Sequence, residues 1–184
     1  MTTEASSTPP ETVVSDAFQR DLGVVEAQLG RPVRGAIDIA HRCPCGCPTV
    51  VRTRPTLPDG SPFPTFFYAT CPALTGAIST LESEGMMREM TDRIADDPEG
   101  PTALAHRAAH EDYLRRRNMW GSPSQISGIS AGGMPTRVKC LHVLVAHSLA
   151  VGPGINLLGD EALAALPRWW DGGCCAAVVS GQRR

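Results

Sequence analysis

Phe63-Pro-Thr-Phe-Phe-Tyr-Ala-Thr-Cys-Pro72 is the stretch on which the reading of the fold turns. Its aromatic run suits a pleated, half-buried strand. Its last residue suits the first turn of a helix, where the missing N–H of proline is not needed. Strand signals precede it and helical periodicity follows it, so Cys71 marks a change of texture along the chain.

Working upstream, Val33 to Ala40 alternates small or apolar residues with Arg34 and Asp38, and Thr49 to Thr56 sets Val50 and Val51 beside Arg52 and Arg54. Leu57-Pro-Asp-Gly60 is a turn signal. These segments predict three short strands, with Pro55, Pro62 and Pro64 at strand ends because proline cannot donate to a ladder. Further upstream, Phe18, Leu22, Val25 and Leu29 recur at spacings of four, three and four, which makes one apolar helical stripe. Gly30 then ends that helix.

Downstream, Leu74, Ile78, Leu81, Met87 and Met90 predict a helix from Pro72 to Ile94, weakened in its middle by Gly85. A break at 96–101 leads to a second helix over Ala103 to Trp120. A serine- and glycine-rich loop over 121–134 leads to a third, opened by Pro135 and running to about Ala150. That third helix is apolar nearly all round, so it belongs in the centre. A short helix opening near Gly159 closes the chain. The expected fold class is α+β: a small antiparallel sheet of about three strands packed on one side against several helices, in a single domain over 13–170. Residues 1–12 read as a flexible tail and 171–184 as a mobile one.

Composition narrows the function classes. Seventeen basic residues against nineteen acidic ones give a net charge of −2, which supplies no overall field to attract nucleic acid or anionic lipid. The N-terminus has neither a basic start nor an apolar core, and no run approaches the ~18 apolar residues of a membrane helix. The expected compartment is the cytoplasm, with no membrane partner. Thiols are kept reduced there, so seven cysteines favour metal or thiol chemistry over disulfides.

His41-Arg-Cys-Pro-Cys-Gly-Cys-Pro48 carries three of them on alternating residues, one residue tighter than the usual Cys-x-x-Cys knuckle. Cys71 stands at the strand-to-helix junction, where a helix dipole favours a thiolate. Cys140, His142 and His147 lie on the third predicted helix. Strand end, helix start and helix side can converge at one sheet edge, and three thiolates with one imidazole make a closed zinc sphere. The candidate metal ligands are Cys43, Cys45 and Cys47 from the first segment, Cys71 from the second, and Cys140, His142 and His147 from the third, with zinc as the metal and an iron–sulfur cluster as the alternative. Helix geometry restricts this set. Cys140 and His142 point about 200° apart in a regular helix, so both can ligate only where a helix starts or is distorted. One of the two histidines is then a core imidazole. His106 and His110, four apart, have chelating spacing, but Arg107 stands where the zinc-protease motif needs a glutamate.

With these residues in view, the chain resembles an uncharacterised bacterial family, the domain of unknown function numbered five hundred and one. The resemblance covers about residues 20–166. It rests on Gln28-Leu-Gly-Arg-Pro32 with Gly35, Arg42-Cys-Pro44, Pro62-Phe-Pro-Thr65 leading to Thr70-Cys-Pro72, Ala109-His-Glu111, and Val138-Lys-Cys-Leu-His142 followed by Ala146-His147. The family pattern includes Cys43, Cys71, Cys140, His142 and His147, and does not require Cys45 or Cys47, so the resemblance implies a metal set of Cys43, Cys71, Cys140 and one of His142 and His147. Leu157 stands where the family's Asn-Pro-x-Gly turn has proline. Members are commonly encoded beside septum-formation initiator genes, which implies a division-related partner and brings no chemistry.

Three functions compete on this sequence. The first is a metal protein built on the ligands above. The second is a thiol enzyme for acyl or phosphoryl transfer, with Cys71 or Cys140 as nucleophile and His142, His147 or His110 as base. The third is a binding module without chemistry, presenting Trp169 and Trp170 to a partner protein.

Overall fold

The computed structural model describes residues 15–131 and 135–171. The expected tail over 1–12, all but Asp171 of the tail expected over 171–184, and part of the glycine-rich loop lie outside them. Among the described residues the chain runs α1 (Asp16–Leu29), β1 (Ala36–Arg42), β2 (Pro48–Thr53), β3 (Phe67–Ala69), α2 (Pro72–Ser83), α3 (Met86–Asp96), α4 (Pro101–Asn118), a 3-10 turn at Ser124–Ile126, α5 (Leu141–Val151) and α6 (Leu157–Ala165). This is the α+β architecture that the change of texture at Cys71 predicts.

The sheet is antiparallel in the order β1-β2-β3, with β2 in the middle. Successive strand residues point to opposite faces. Val50 and Val51 are both fully buried, so the central strand is covered on both sides rather than on the one side expected. α5 lies against all three strands and α1 against β1 and β2. Gln28 fastens α1 to the sheet: its amide donates to the Pro48 carbonyl at 2.9 Å and its oxygen accepts from the Thr70 hydroxyl at 2.8 Å. The hairpin turn between β1 and β2 is closed by the Cys43 amide on the Cys47 carbonyl at 2.9 Å and the Gly46 amide on the Cys43 carbonyl at 2.8 Å.

Two helix boundaries differ from the sequence reading. The helix predicted from Pro72 to Ile94 is broken at Gly85, whose φ of 98° lies where side chains are disfavoured, so α2 and α3 are separate. The last long helix begins at Leu141 rather than Pro135. Cys140 is extended there, at φ −158° and ψ 114°, and is the residue that precedes the first helical turn. α5 is buried on all sides from Leu141 to Ser148 except for half-exposed His142, as its composition requires.

The α4 face that carries His106, Tyr113 and Arg117 is buried. Arg117 is fully buried, and its guanidinium donates to the Ile129 carbonyl at 2.5 Å and the Ile126 carbonyl at 2.9 Å. A buried charge needs such partners. Those bonds tie the loop after α4 to the core.

Candidate metal and thiol site

The late start of α5 decides the site. The first turn of any helix has N–H groups without intrahelical partners, and the Cys140 side chain does not cap α5. Glu82 takes that role from the last turn of α2: its Oε1 accepts from the Leu141 amide at 2.8 Å. The same oxygen lies 3.2 Å from His142 Nδ1. On the other side of the ring, His142 Nε2 lies 3.2 Å from the Thr75 carbonyl and 3.5 Å from the Ser79 hydroxyl.

Those partners fix the protonation of the ring. A carboxylate and a carbonyl both accept, so Nδ1 and Nε2 each carry a proton and His142 is an imidazolium. A hydrogen bond with Cys140 and the charge of Glu82 outweigh half-burial and push its pKa up to about 9.

Among the described residues, Glu82, Cys140 and His142 form one group whose potential ligand atoms all lie within 4.8 Å of one another. The group offers oxygen, sulfur and nitrogen donors. It borders a cleft of about 520 Å³ that is also lined by Thr65, Tyr68, Thr70 and Thr75. β3 forms one wall of that cleft, because it is the edge strand of the sheet.

The other expected ligands lie elsewhere. Cys43 is bonded to Cys45 in a disulfide. Cys71 precedes α2 as expected but is fully buried, in the same hydrophobic cluster as Phe67 and Leu74. His147 is 1% exposed, and both its nitrogens are engaged. The Gly159 amide donates to Asn156 Oδ1 at 3.0 Å, which turns the Asn156 amide nitrogen toward His147 Nδ1 at 3.3 Å. Nδ1 therefore accepts, and Nε2–H donates to the Asp112 carboxylate at 2.9 Å. Burial holds the ring below the usual histidine range, in its neutral form. Burial also raises Asp112, but Arg116 and His147 bring it below the ordinary carboxylate range. His147 stacks on Phe67 at 5.5 Å, 12° from parallel. It is a core imidazole.

His106 and His110 do not chelate with the group above. His106 Nε2 lies 3.3 Å from the Arg137 carbonyl, and His110 Nδ1 lies 3.1 Å from the Ser130 hydroxyl. With His147 they line a cavity of about 20 Å³, the size of a single water.

Glu82 is the residue that the sequence reading missed, though a signal for it existed. The apolar stripe Leu74, Ile78, Leu81 faces the core. One residue later, at the same spacing of four and three, run Thr75, Ser79 and Glu82, and all three meet His142.

Fold and site together define an α+β domain with a Cys/His/Glu donor group at the start of a buried helix. Residues 39–164 match the model of the family described as protein of unknown function, DUF501, and the chain belongs to that family. Neither the curated proteins nor the solved structures contain a match to it.

Proposed function

We propose that the protein binds a zinc ion through Glu82, Cys140 and His142 and presents it to the cleft beside β3. The observation that carries this reading is the meeting of three different donor types within 4.8 Å on the wall of an open cleft. Held by these three residues, zinc would supply Lewis-acid activation of water or of a substrate carbonyl or phosphoryl oxygen. The reaction class that follows is metal-assisted hydrolysis of a substrate held in the cleft. One thiolate among three donors does not furnish the four cysteines of an iron–sulfur cluster, so zinc is favoured over that alternative. Binding requires His142 to give up a proton, since a metal takes the lone pair of a neutral imidazole. Zinc and the imidazolium therefore exclude each other. Elemental analysis of protein purified anaerobically without added metal tests the proposal. Zinc bound stoichiometrically, and lost on Cys140→Ser, is the expected result. Metal-free protein whose melting temperature a chelator leaves unmoved overturns it.

A second reading is favoured by the two protons on His142. Without metal, the Cys140 sulfur lies beside the His142 imidazolium, with Glu82 orienting the ring, as in a thiol nucleophile and its acid–base partner. Such a pair attacks acyl or phosphoryl groups. It calls for Cys140 to be alkylated far faster than Cys71 in native, metal-free protein. Equal slow labelling removes it. We also infer a cytosolic compartment and, on the gene neighbourhood of the family, a division-related partner; neither enters the chemistry.

A further inference from the structure

The hairpin turn between β1 and β2 holds a second sulfur site, independent of the donor group at Cys140. Cys43 and Cys45 are joined across one intervening residue, Pro44. A disulfide stabilises a fold mainly by shortening the loops open to the unfolded chain, and the effect grows with loop length. A ring this small contributes little in that way, so stability does not account for it.

The two sulfurs differ in access. Cys43 is 4% exposed, whereas Cys45 lies on the exposed rim of the turn. Incoming thiolates can thus reach one sulfur and leave the other as the departing group, the asymmetry that thiol–disulfide exchange uses. Beside the turn runs a groove of about 290 Å³ lined by Pro44, His41, Leu149, Leu166, Trp169 and Trp170. The two indoles meet edge to face at 4.5 Å. In the same wall, His41 Nδ1 and Trp169 Nε1 are buried and, among the described residues, have no hydrogen-bond partner. The apolar and aromatic lining of the groove suits an apolar polypeptide segment. Pro44 belongs to both features, so whatever fills the groove lies next to the disulfide.

We propose that Cys43–Cys45 is a thiol–disulfide exchange site that oxidises a pair of cysteines on a client polypeptide, whose neighbouring apolar segment occupies the Trp169–Trp170 groove. A client thiolate attacks Cys45 Sγ, forming a mixed disulfide and expelling Cys43 as a thiolate, which takes up a proton. The second client thiolate attacks the client sulfur of that mixed disulfide. The client disulfide forms, Cys45 leaves as a thiolate and is protonated. Two electrons pass from the client to the protein, and no other oxidant is needed for one turnover.

The test uses full-length protein never exposed to reductant, under nitrogen and with chelator present, so that neither oxygen nor a metal at Cys140 takes part. Two reduced synthetic peptides serve as clients, each with two cysteines, one flanked by an aromatic segment and the other by serines. Alkylation and mass mapping of the fragment 43–52 report the state of Cys43 and Cys45. We expect one peptide disulfide per chain, both cysteines alkylatable afterwards, faster oxidation of the aromatic peptide, and no oxidation by Cys45→Ser. Trp170→Ala should remove the preference between peptides while leaving the serine-flanked peptide oxidised. Three results overturn the proposal: both cysteines already alkylatable before the peptide is added, a disulfide that survives excess peptide, or Cys45→Ser acting like the parent protein. Equal rates for the two peptides with the parent protein overturn the groove as the client's seat.

Discussion

Glu82 and His142 face each other at 3.2 Å across the gap between α2 and α5, and the same carboxylate oxygen closes the first turn of α5 through the Leu141 amide. One oxygen thus caps a helix and pairs with an imidazolium. The two roles separate by substitution. Glu82→Gln keeps an acceptor for the Leu141 amide and removes the charge, and Glu82→Ala removes both. Loss of a capping acceptor costs about 1 kcal/mol, so Glu82→Ala should unfold at lower urea concentration than Glu82→Gln. Zinc content should fall in both.

The raised pKa of His142 has a definite sign in stability. A group whose folded pKa lies above its unfolded value stabilises the fold most fully below the unfolded value, and the contribution disappears as pH rises through the folded one. For metal-free protein that window runs from about 6.5 to about 9. The melting temperature of the parent protein should exceed that of His142→Gln at pH 6, and the gap should close by pH 10. A gap that stays constant from pH 6 to 10 would exclude an imidazolium at this position. With zinc bound the titration should vanish, because the ring is then neutral throughout.

His147 and Asp112 behave in the opposite direction. His147 is held below the usual range, so its neutral form belongs to the fold. The stability this gives is present above about 6.5 and is lost as pH falls through the depressed value. Asp112 adds to the loss at lower pH, since its carboxylate is also held low. Removing one member leaves a buried polar group unpaired, which costs about 1–3 kcal/mol. Asp112→Ala should therefore destabilise more than the exposed change Glu99→Ala, as read by urea unfolding at pH 7.

The turn into α6 makes a pair of contrasting predictions. A Cβ on Gly159 would sit 2.3 Å from the Leu144 carbonyl and 2.4 Å from the Ser148 hydroxyl, both on α5. Gly159→Ala must push the two helices apart, and overpacking of this kind costs about 1–3 kcal/mol. Leu157, by contrast, is the exposed first residue of α6, after the Asn156 cap. Proline is favoured there, so Leu157→Pro should be tolerated and raise stability by about 0.4–1 kcal/mol. Thermal melts of the two variants should move in opposite directions.

The fold class was legible because its signals are local: the aromatic run before Cys71, the apolar stripes after it, and the turn residues between strands. The break at Gly85 was half legible, since glycine weakens a helix by sequence, but only a positive φ turns weakness into a stop. The start of α5 was not legible. Val138 and Lys139 continue a passable helical pattern, and the cap that sets the boundary comes from Glu82, 59 residues away. Cys140 and His142 could be named together only on the condition that a helix began between them, and it does. Why His147 is engaged elsewhere depends on Asp112 and Asn156, partners that no spacing rule connects.

Glu82 also bears on how this protein could be engineered. It lies in the last turn of α2, where a carboxylate opposes the dipole of its own helix. A stability redesign that treated each helix alone would replace it with lysine, and α2 as an isolated peptide would gain helicity. In the intact chain the same change would put a cation against His142 and leave the first amide of the neighbouring helix without its acceptor. Positions where local helix rules and the assembled domain disagree mark where a sequence serves something other than its own rigidity.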